Sequence, residues 1–165
     1  EGSEAETDCI DCVSGRYAPN PVNGAAADCI ACPAGTWMSS AITGSHSSTD
    51  CRNCAVGQYQ DSTGSTACIA CAEGQFTSAT TTLISCTECS AGRYQDQTSQ
   101  SSCIACAPGT MRAFSGASSC TSCALGKYQA DEGQTYCDDC AVGEYSAEGS
   151  VSCTLCSIGS HVSSR

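Results

Sequence analysis

The stretch Cys86-Thr87-Glu88-Cys89-Ser90-Ala91-Gly92-Arg93-Tyr94 decides the fold. Two cysteines stand three apart, a glycine follows the second cysteine by three, and an aromatic follows the glycine by two. The frame recurs along the whole chain. All 18 cysteines fall in Cys-x-x-Cys pairs: Cys9/Cys12, Cys29/Cys32, Cys51/Cys54, Cys68/Cys71, Cys86/Cys89, Cys103/Cys106, Cys120/Cys123, Cys137/Cys140 and Cys153/Cys156. Their first members lie 20, 22, 17, 18, 17, 17, 17 and 16 residues apart, an internal repeat of about 17 residues.

The glycine recurs without exception, as Gly15, Gly35, Gly57, Gly74, Gly92, Gly109, Gly126, Gly143 and Gly159. The slot two residues on holds Tyr17, Trp37, Tyr59, Phe76, Tyr94, Met111, Tyr128, Tyr145 and His161, taking seven of the chain's nine aromatics. A second glycine often stands four before the next pair, at Gly64, Gly116, Gly133 and Gly149. The first glycine suits a backbone with φ > 0, turning the chain just after the cysteine pair. The slot residue, from Tyr17 to Tyr145, is expected to stack on a disulfide or on the neighbouring repeat. The second glycine marks the return turn. A 17-residue unit buries no core alone, but a row of them shares a thin seam of cystine and aromatic side chains.

Composition excludes an ordinary core. The 165 residues hold 22 Ala, whereas Leu, Ile, Val and Phe together make 18, about 11% of the chain. Disorder is the default below roughly 20%. Cysteine is also about 11%, the density of a disulfide scaffold. Covalent links therefore replace a core that the apolar side chains cannot build.

The net charge of −11, from 17 acidic against 6 basic residues, argues against nucleic acid and against an anionic membrane surface as partners. No apolar run approaches the roughly 20 residues of a membrane span. The chain opens Glu1-Gly2-Ser3 and reads as a mature chain or an internal piece of a longer one. Dense, regular, even-numbered cysteine points to an oxidising compartment, extracellular or at the cell surface. Length varies only between pairs, around 19–24 and 41–48, as suits surface loops opposite a cystine spine. The stretch 77–84 is β-prone and is expected to form a short strand.

Cys-x-x-Cys-x-x-Gly-x-Tyr resembles the ephrin-receptor-like cysteine-rich repeat, and the simplest module of tumour necrosis factor receptor ectodomains. The resemblance covers the whole chain, although the loops carry no receptor-specific sequence. It implies elongated extracellular arrays, some of which bind protein ligands. It also implies that the second cysteine of one pair bonds the first of the next: Cys12–Cys29, Cys32–Cys51, Cys54–Cys68, Cys71–Cys86, Cys89–Cys103, Cys106–Cys120, Cys123–Cys137 and Cys140–Cys153. Sequence alone leaves many other connectivities open. In this register Cys9 and Cys156 are left for bonds outside the segment, to further repeats or to neighbouring subunits of a head-to-tail polymer. The expected organisation is one continuous array over 1–165 of about nine repeats, both ends cut mid-repeat.

Rival chemistries are weaker. Cys-x-x-Cys pairs also suit zinc, but four ligands per metal do not divide 18 cysteines, and neither histidine sits at a ligand position. Nine equivalent pairs without a βαβ pattern read as structure rather than as a redox centre. His46, among Ser45, Ser47 and Ser48, reads as a solvated loop residue before a general base. His161 reads as a packing substitute for tyrosine. The acids Glu1, Glu4, Glu6, Asp8 and Asp11, and Asp131, Glu132, Asp138 and Asp139, form no calcium loop and serve solubility. Asn20, Asn23 and Asn53 begin no N-glycosylation sequon. Ser and Thr make 42 residues, clustered at 43–49, 77–82 and 98–102, and suit O-linked glycan and plain polar loop equally. Trp37-Met38 and Met111-Arg112-Ala113-Phe114 are the least regular apolar spots, and Arg112 beside Phe114 suits an interface anchor.

The reading is a small disulfide-rich repeat: an elongated ladder of short β-hairpin-like modules with little or no helix. No catalytic residue, metal or cofactor is expected. The function read from it is an extracellular structural protein forming a stalk, coat or filament, with itself as chief partner. The alternative is a receptor or adhesion ectodomain holding a protein ligand, or glycans, on one face. Similar small polar loops from Gln58 to Ser152 favour the structural role.

Overall fold

The computed structural model describes residues 11–19, 29–79 and 83–157. Among the described residues, sixteen two-residue strands pair into eight antiparallel hairpins, each an isolated two-stranded sheet. Every hairpin joins the two residues after a first glycine to the two residues inside the next cysteine pair. The aromatic slot thus lies on the first strand, and the second strand is held between cysteines.

The described residues belong to two compact units, Glu1–Ala70 with Thr77–Cys86, and Cys71–Phe76 with Thr87–Arg165. In the first, β1 (Arg16–Tyr17) pairs with β2 (Ile30–Ala31), β3 (Thr36–Trp37) with β4 (Arg52–Asn53), and β5 (Gln58–Tyr59) with β6 (Ile69–Ala70). Cys12–Cys29, Cys32–Cys51 and Cys54–Cys68 pin them. The 3-10 helix Ser48–Asp50 is capped by Ser47, whose Oγ accepts from the Thr49 N–H at 3.2 Å.

In the second unit β7 (Gln75–Phe76) pairs with β8 (Thr87–Glu88), β9 (Arg93–Tyr94) with β10 (Ile104–Ala105), and β11 (Thr110–Met111) with β12 (Thr121–Ser122). Then β13 (Lys127–Tyr128) pairs with β14 (Asp138–Asp139), and β15 (Glu144–Tyr145) with β16 (Thr154–Leu155). Cys89–Cys103, Cys106–Cys120, Cys123–Cys137 and Cys140–Cys153 pin the last four hairpins. Cys71 and Cys86 are disulfide-bonded as well.

A two-stranded hairpin is marginal by itself in water. Here the hairpins are closed twice over, by the disulfide and by a bond beyond the strands. The N–H of the second cysteine donates to the carbonyl of the preceding first glycine, as from Cys32 to Gly15 (2.9 Å) and from Cys106 to Gly92 (2.9 Å).

The buried side chains show what serves as core. The second cysteines Cys12, Cys32, Cys54, Cys71, Cys89, Cys106 and Cys123 are buried. With them are buried the residues three after the first glycine: Met38, Gln60, Thr77, Gln95, Gln129 and Ser146. Larger apolar residues such as Ile30, Ile69 and Ile104 stay exposed. Of the β-prone stretch 77–84, residues 77–79 and 83–84 form no strand, and 80–82 lie outside the described residues. The Thr77 and Leu83 carbonyls instead accept from Gly57 and Gln60 of the preceding loop.

Candidate functional site

The chemistry of this chain lies at the junctions between consecutive modules. Among the described residues, four junctions, those that begin at Gly35, Gly92, Gly109 and Gly126, use the same three backbone bonds. In the second unit, Gly92 N–H donates to the Arg112 carbonyl (2.8 Å), Gln95 N–H to that of Ala117 (3.0 Å), and Gly116 N–H to that of Cys89 (2.8 Å). In the first, Gly35 donates to Gln60 (2.7 Å), Met38 to Ser65 (3.0 Å), and Gly64 to Cys32 (2.8 Å). Backbone groups that a short hairpin leaves unpaired are thus paired by the next loop, as burial requires.

Four of the first glycines, Gly15, Gly74, Gly92 and Gly109, also lie against the backbone of a return-turn glycine two modules on. Gly92 has φ +78°, and a Cβ built on it would overlap the carbonyl oxygen of Gly133, a return-turn glycine two modules on. Gly109 meets Gly149 in the same way. The left-handed backbone and the contact both require the missing side chain. A Cβ at Gly126 or Gly143 would meet nothing within 4 Å among the described residues.

The buried position three after the first glycine closes the loop from inside. Gln95, 4% exposed, donates from Nε2 to the Ser102 carbonyl at 2.8 Å and accepts the Gln97 N–H at Oε1 at 3.1 Å. Gln60 does the same to Ala67 (2.7 Å) and Ser62 (3.1 Å), and Gln129 to Tyr136 (3.0 Å) and Asp131 (3.0 Å). Thr77 and Ser146 bond the preceding module instead: Thr77 accepts the Gly57 N–H at Oγ1, and Ser146 donates to the Lys127 carbonyl. Met38 needs no partner. Sequence reasoning passed over the glutamines Gln60, Gln95 and Gln129, although Tyr-Gln at 59–60, 94–95 and 128–129 was a readable signal.

The aromatic slot is placed on the first strand of each hairpin. Tyr17, Trp37, Tyr59, Phe76, Tyr94, Met111 and Tyr128 are half-buried, and Tyr145 is exposed. The eight described first glycines, Gly15, Gly35, Gly57, Gly74, Gly92, Gly109, Gly126 and Gly143, all have φ between +76° and +87°. Cys156 is a free, half-buried cysteine. Cys9, Gly159 and His161 lie outside the described residues.

Two grooves repeat at equivalent places in the second unit. One, about 420 Å³, is lined by Phe76, Thr87, Glu88, Arg93 and Cys103. The other, about 390 Å³, is lined by Met111, Thr121, Lys127, Tyr136 and Cys137. The cation of each wall is engaged: Arg93 donates to the Cys103 carbonyl, and Lys127 pairs with Asp139. Among the described residues no group of three His, Cys, Asp or Glu is placed to hold a metal ion, and no helix is long and apolar enough to cross a membrane.

Tandem hairpins, each stapled by a disulfide and bonded to the next through its backbone, define a cysteine-rich repeat protein. The family model described as tyrosine-protein kinase ephrin type A/B receptor-like matches residues 2–51, 42–83, 78–119 and 109–144. The chain belongs to this family, whose repeats are disulfide-rich modules of extracellular type. No curated protein matches the sequence.

Proposed function

We propose that this protein is an extracellular or cell-surface structural element, a disulfide-stapled stalk, coat or filament, and not an enzyme. The observation that supports this most is the junction itself: the same three backbone bonds recur at four junctions while the loop side chains vary. An array built this way carries load through covalent and backbone links, with stability arising locally from each module and its neighbours. Modules of this kind run as one continuous array through residues 1–165. Cys9 and Cys156 link that array to further repeats or to neighbouring subunits.

The test compares the denatured mass of native material before and after reduction, with free thiols counted. A large species that falls to small chains on reduction is expected of a filament joined through Cys9 and Cys156. Monomeric chains carrying two free thiols would rule out such links.

A receptor or adhesion role is the second reading. It is favoured by the loop from Arg112 to Cys120, where the repeat chemistry breaks and Phe114 stands 76% exposed.

A further inference from the structure

The two grooves of the second unit are built alike. Phe76, Arg93 and Cys103 stand in one where Met111, Lys127 and Cys137 stand in the other. Of the serines and threonines that line them, only Thr87 and Thr121 occupy the same place, one residue after the first cysteine of a pair. Each threonine lies directly across its hairpin from the slot residue, Thr87 from Phe76 and Thr121 from Met111. Side chains so opposed share one face of the sheet. In three other hairpins an isoleucine holds that place: Ile30 opposite Tyr17, Ile69 opposite Tyr59 and Ile104 opposite Tyr94. Threonine ends in a hydroxyl where isoleucine runs on by a methyl, so it leaves more of the slot residue uncovered.

The two hydroxyls are also unspent. Thr36 and Thr110 donate theirs to the Pro33 and Ala107 carbonyls, and Thr77 accepts the Gly57 N–H. Thr87 and Thr121 are exposed, and the Oγ1 of each has no hydrogen-bond partner among the described residues.

We propose that Thr87 and Thr121 carry O-linked neutral sugars, each seated in its groove against the slot residue. In the transfer, Oγ1 attacks the anomeric carbon of a nucleotide sugar held by a glycosyltransferase. The bond from that carbon to the diphosphate breaks, the nucleoside diphosphate leaves with the electron pair, and the hydroxyl proton passes to a base of the transferase. The sugar ring then covers Phe76 or Met111 and takes apolar surface from water. A neutral sugar fits because the cation of each wall is already engaged, Arg93 by the Cys103 carbonyl and Lys127 by Asp139. The chain's charge of −11 disfavours an anionic one. These sites belong to the hairpin frame and not to the Ser/Thr-rich loops. The inference rests on the extracellular reading.

The experiment takes native chain, counts its free thiols, and sequences its peptides by electron-transfer mass spectrometry, which keeps sugars on their side chains. Neutral sugar mass is expected on Thr87 and on Thr121. Both threonines bare in a chain with oxidised cysteines would overturn the sites and leave the extracellular reading standing. Cysteines found as thiols would overturn both. In the glycosylated chain, nuclear Overhauser contacts are expected from the sugars to the Phe76 ring and the Met111 methyl, and sugars without them would overturn the seating. Thr121→Val keeps the shape and removes the hydroxyl. It should lose the sugar there, keep the one on Thr87 and leave the fold intact. Sugar retained in the Met111 groove of that variant would overturn Thr121 as its carrier.

Discussion

The loop after Tyr94 and the loop after Met111 share one covalent frame. Cys89–Cys103 and Cys106–Cys120 each span a sequence separation of 14, and both loops begin on a two-residue strand and return through a disulfide. They differ at one buried position. Gln95 clasps the first loop from within, and Arg112 makes no such clasp in the second, where its buried Nε has no hydrogen-bond partner among the described residues. The lesson is a division of labour. Cysteines and glycines set where a loop goes, and the residue three after the glycine sets whether it is clasped from within.

The largest effect should come from removing the frame that both loops share. Reduction of the oxidised chain is expected to abolish the hairpins of both, read as loss of circular dichroism and of slow amide exchange. Each bridge of this loop length contributes about 3 kcal/mol in the chain-entropy model. A chelator should leave both loops unchanged, and loss of structure in chelator alone would refute a disulfide frame.

Next comes the junction. Gly92→Ala and Gly126→Ala both force a side chain into a left-handed backbone, at about 1–3 kcal/mol. Only Gly92→Ala also drives a methyl into the Gly133 backbone, so it should cost a further ~1–3 kcal/mol. Equal melting temperatures for the two variants would mean that the glycine-to-glycine approach contributes nothing.

The clasp should show a smaller effect of opposite sign in the two loops. Gln95→Ala strands the Ser102 carbonyl and the Gln97 N–H and should destabilise by about 1–3 kcal/mol, with faster exchange at Gln97. Arg112→Gln should stabilise by about 0.5–1.5 kcal/mol and slow exchange at Phe114. Stabilisation by both substitutions, or by neither, would erase the distinction between a closed loop and an open one. Smallest of all, Phe114→Ser should shift stability by no more than about 0.5 kcal/mol, because its ring is exposed. A larger loss on chemical denaturation would show that the ring packs on its own chain.

Much of the architecture was legible in the sequence because it is written in rare residues at strict spacing. Nine cysteine pairs and nine glycines announce a repeat, and apolar residues too few for a core announce a covalent one. The hairpins and the near absence of helix follow from such short segments. The buried position was harder to read. The aromatic Tyr94 is the conspicuous residue, yet the buried one is Gln95, the next residue after β9, because successive residues of an extended chain point to opposite faces. Arg112 reads in the sequence as an anchor beside Phe114, and that its Nε is buried at the position of Gln95 emerges only in space.

By itself, then, the sequence determined the repeat, its period, the turn glycines and the reliance on cystine, since each depends on residue type and local spacing. Tertiary structure decided which carbonyl each loop returns to, that Gly92 must pass against Gly133, and that the Arg112 Nε is buried without a hydrogen-bond partner among the described residues. Those are contacts between segments about 20 to 40 residues apart. Their energies depend on burial and direction, which no local pattern encodes.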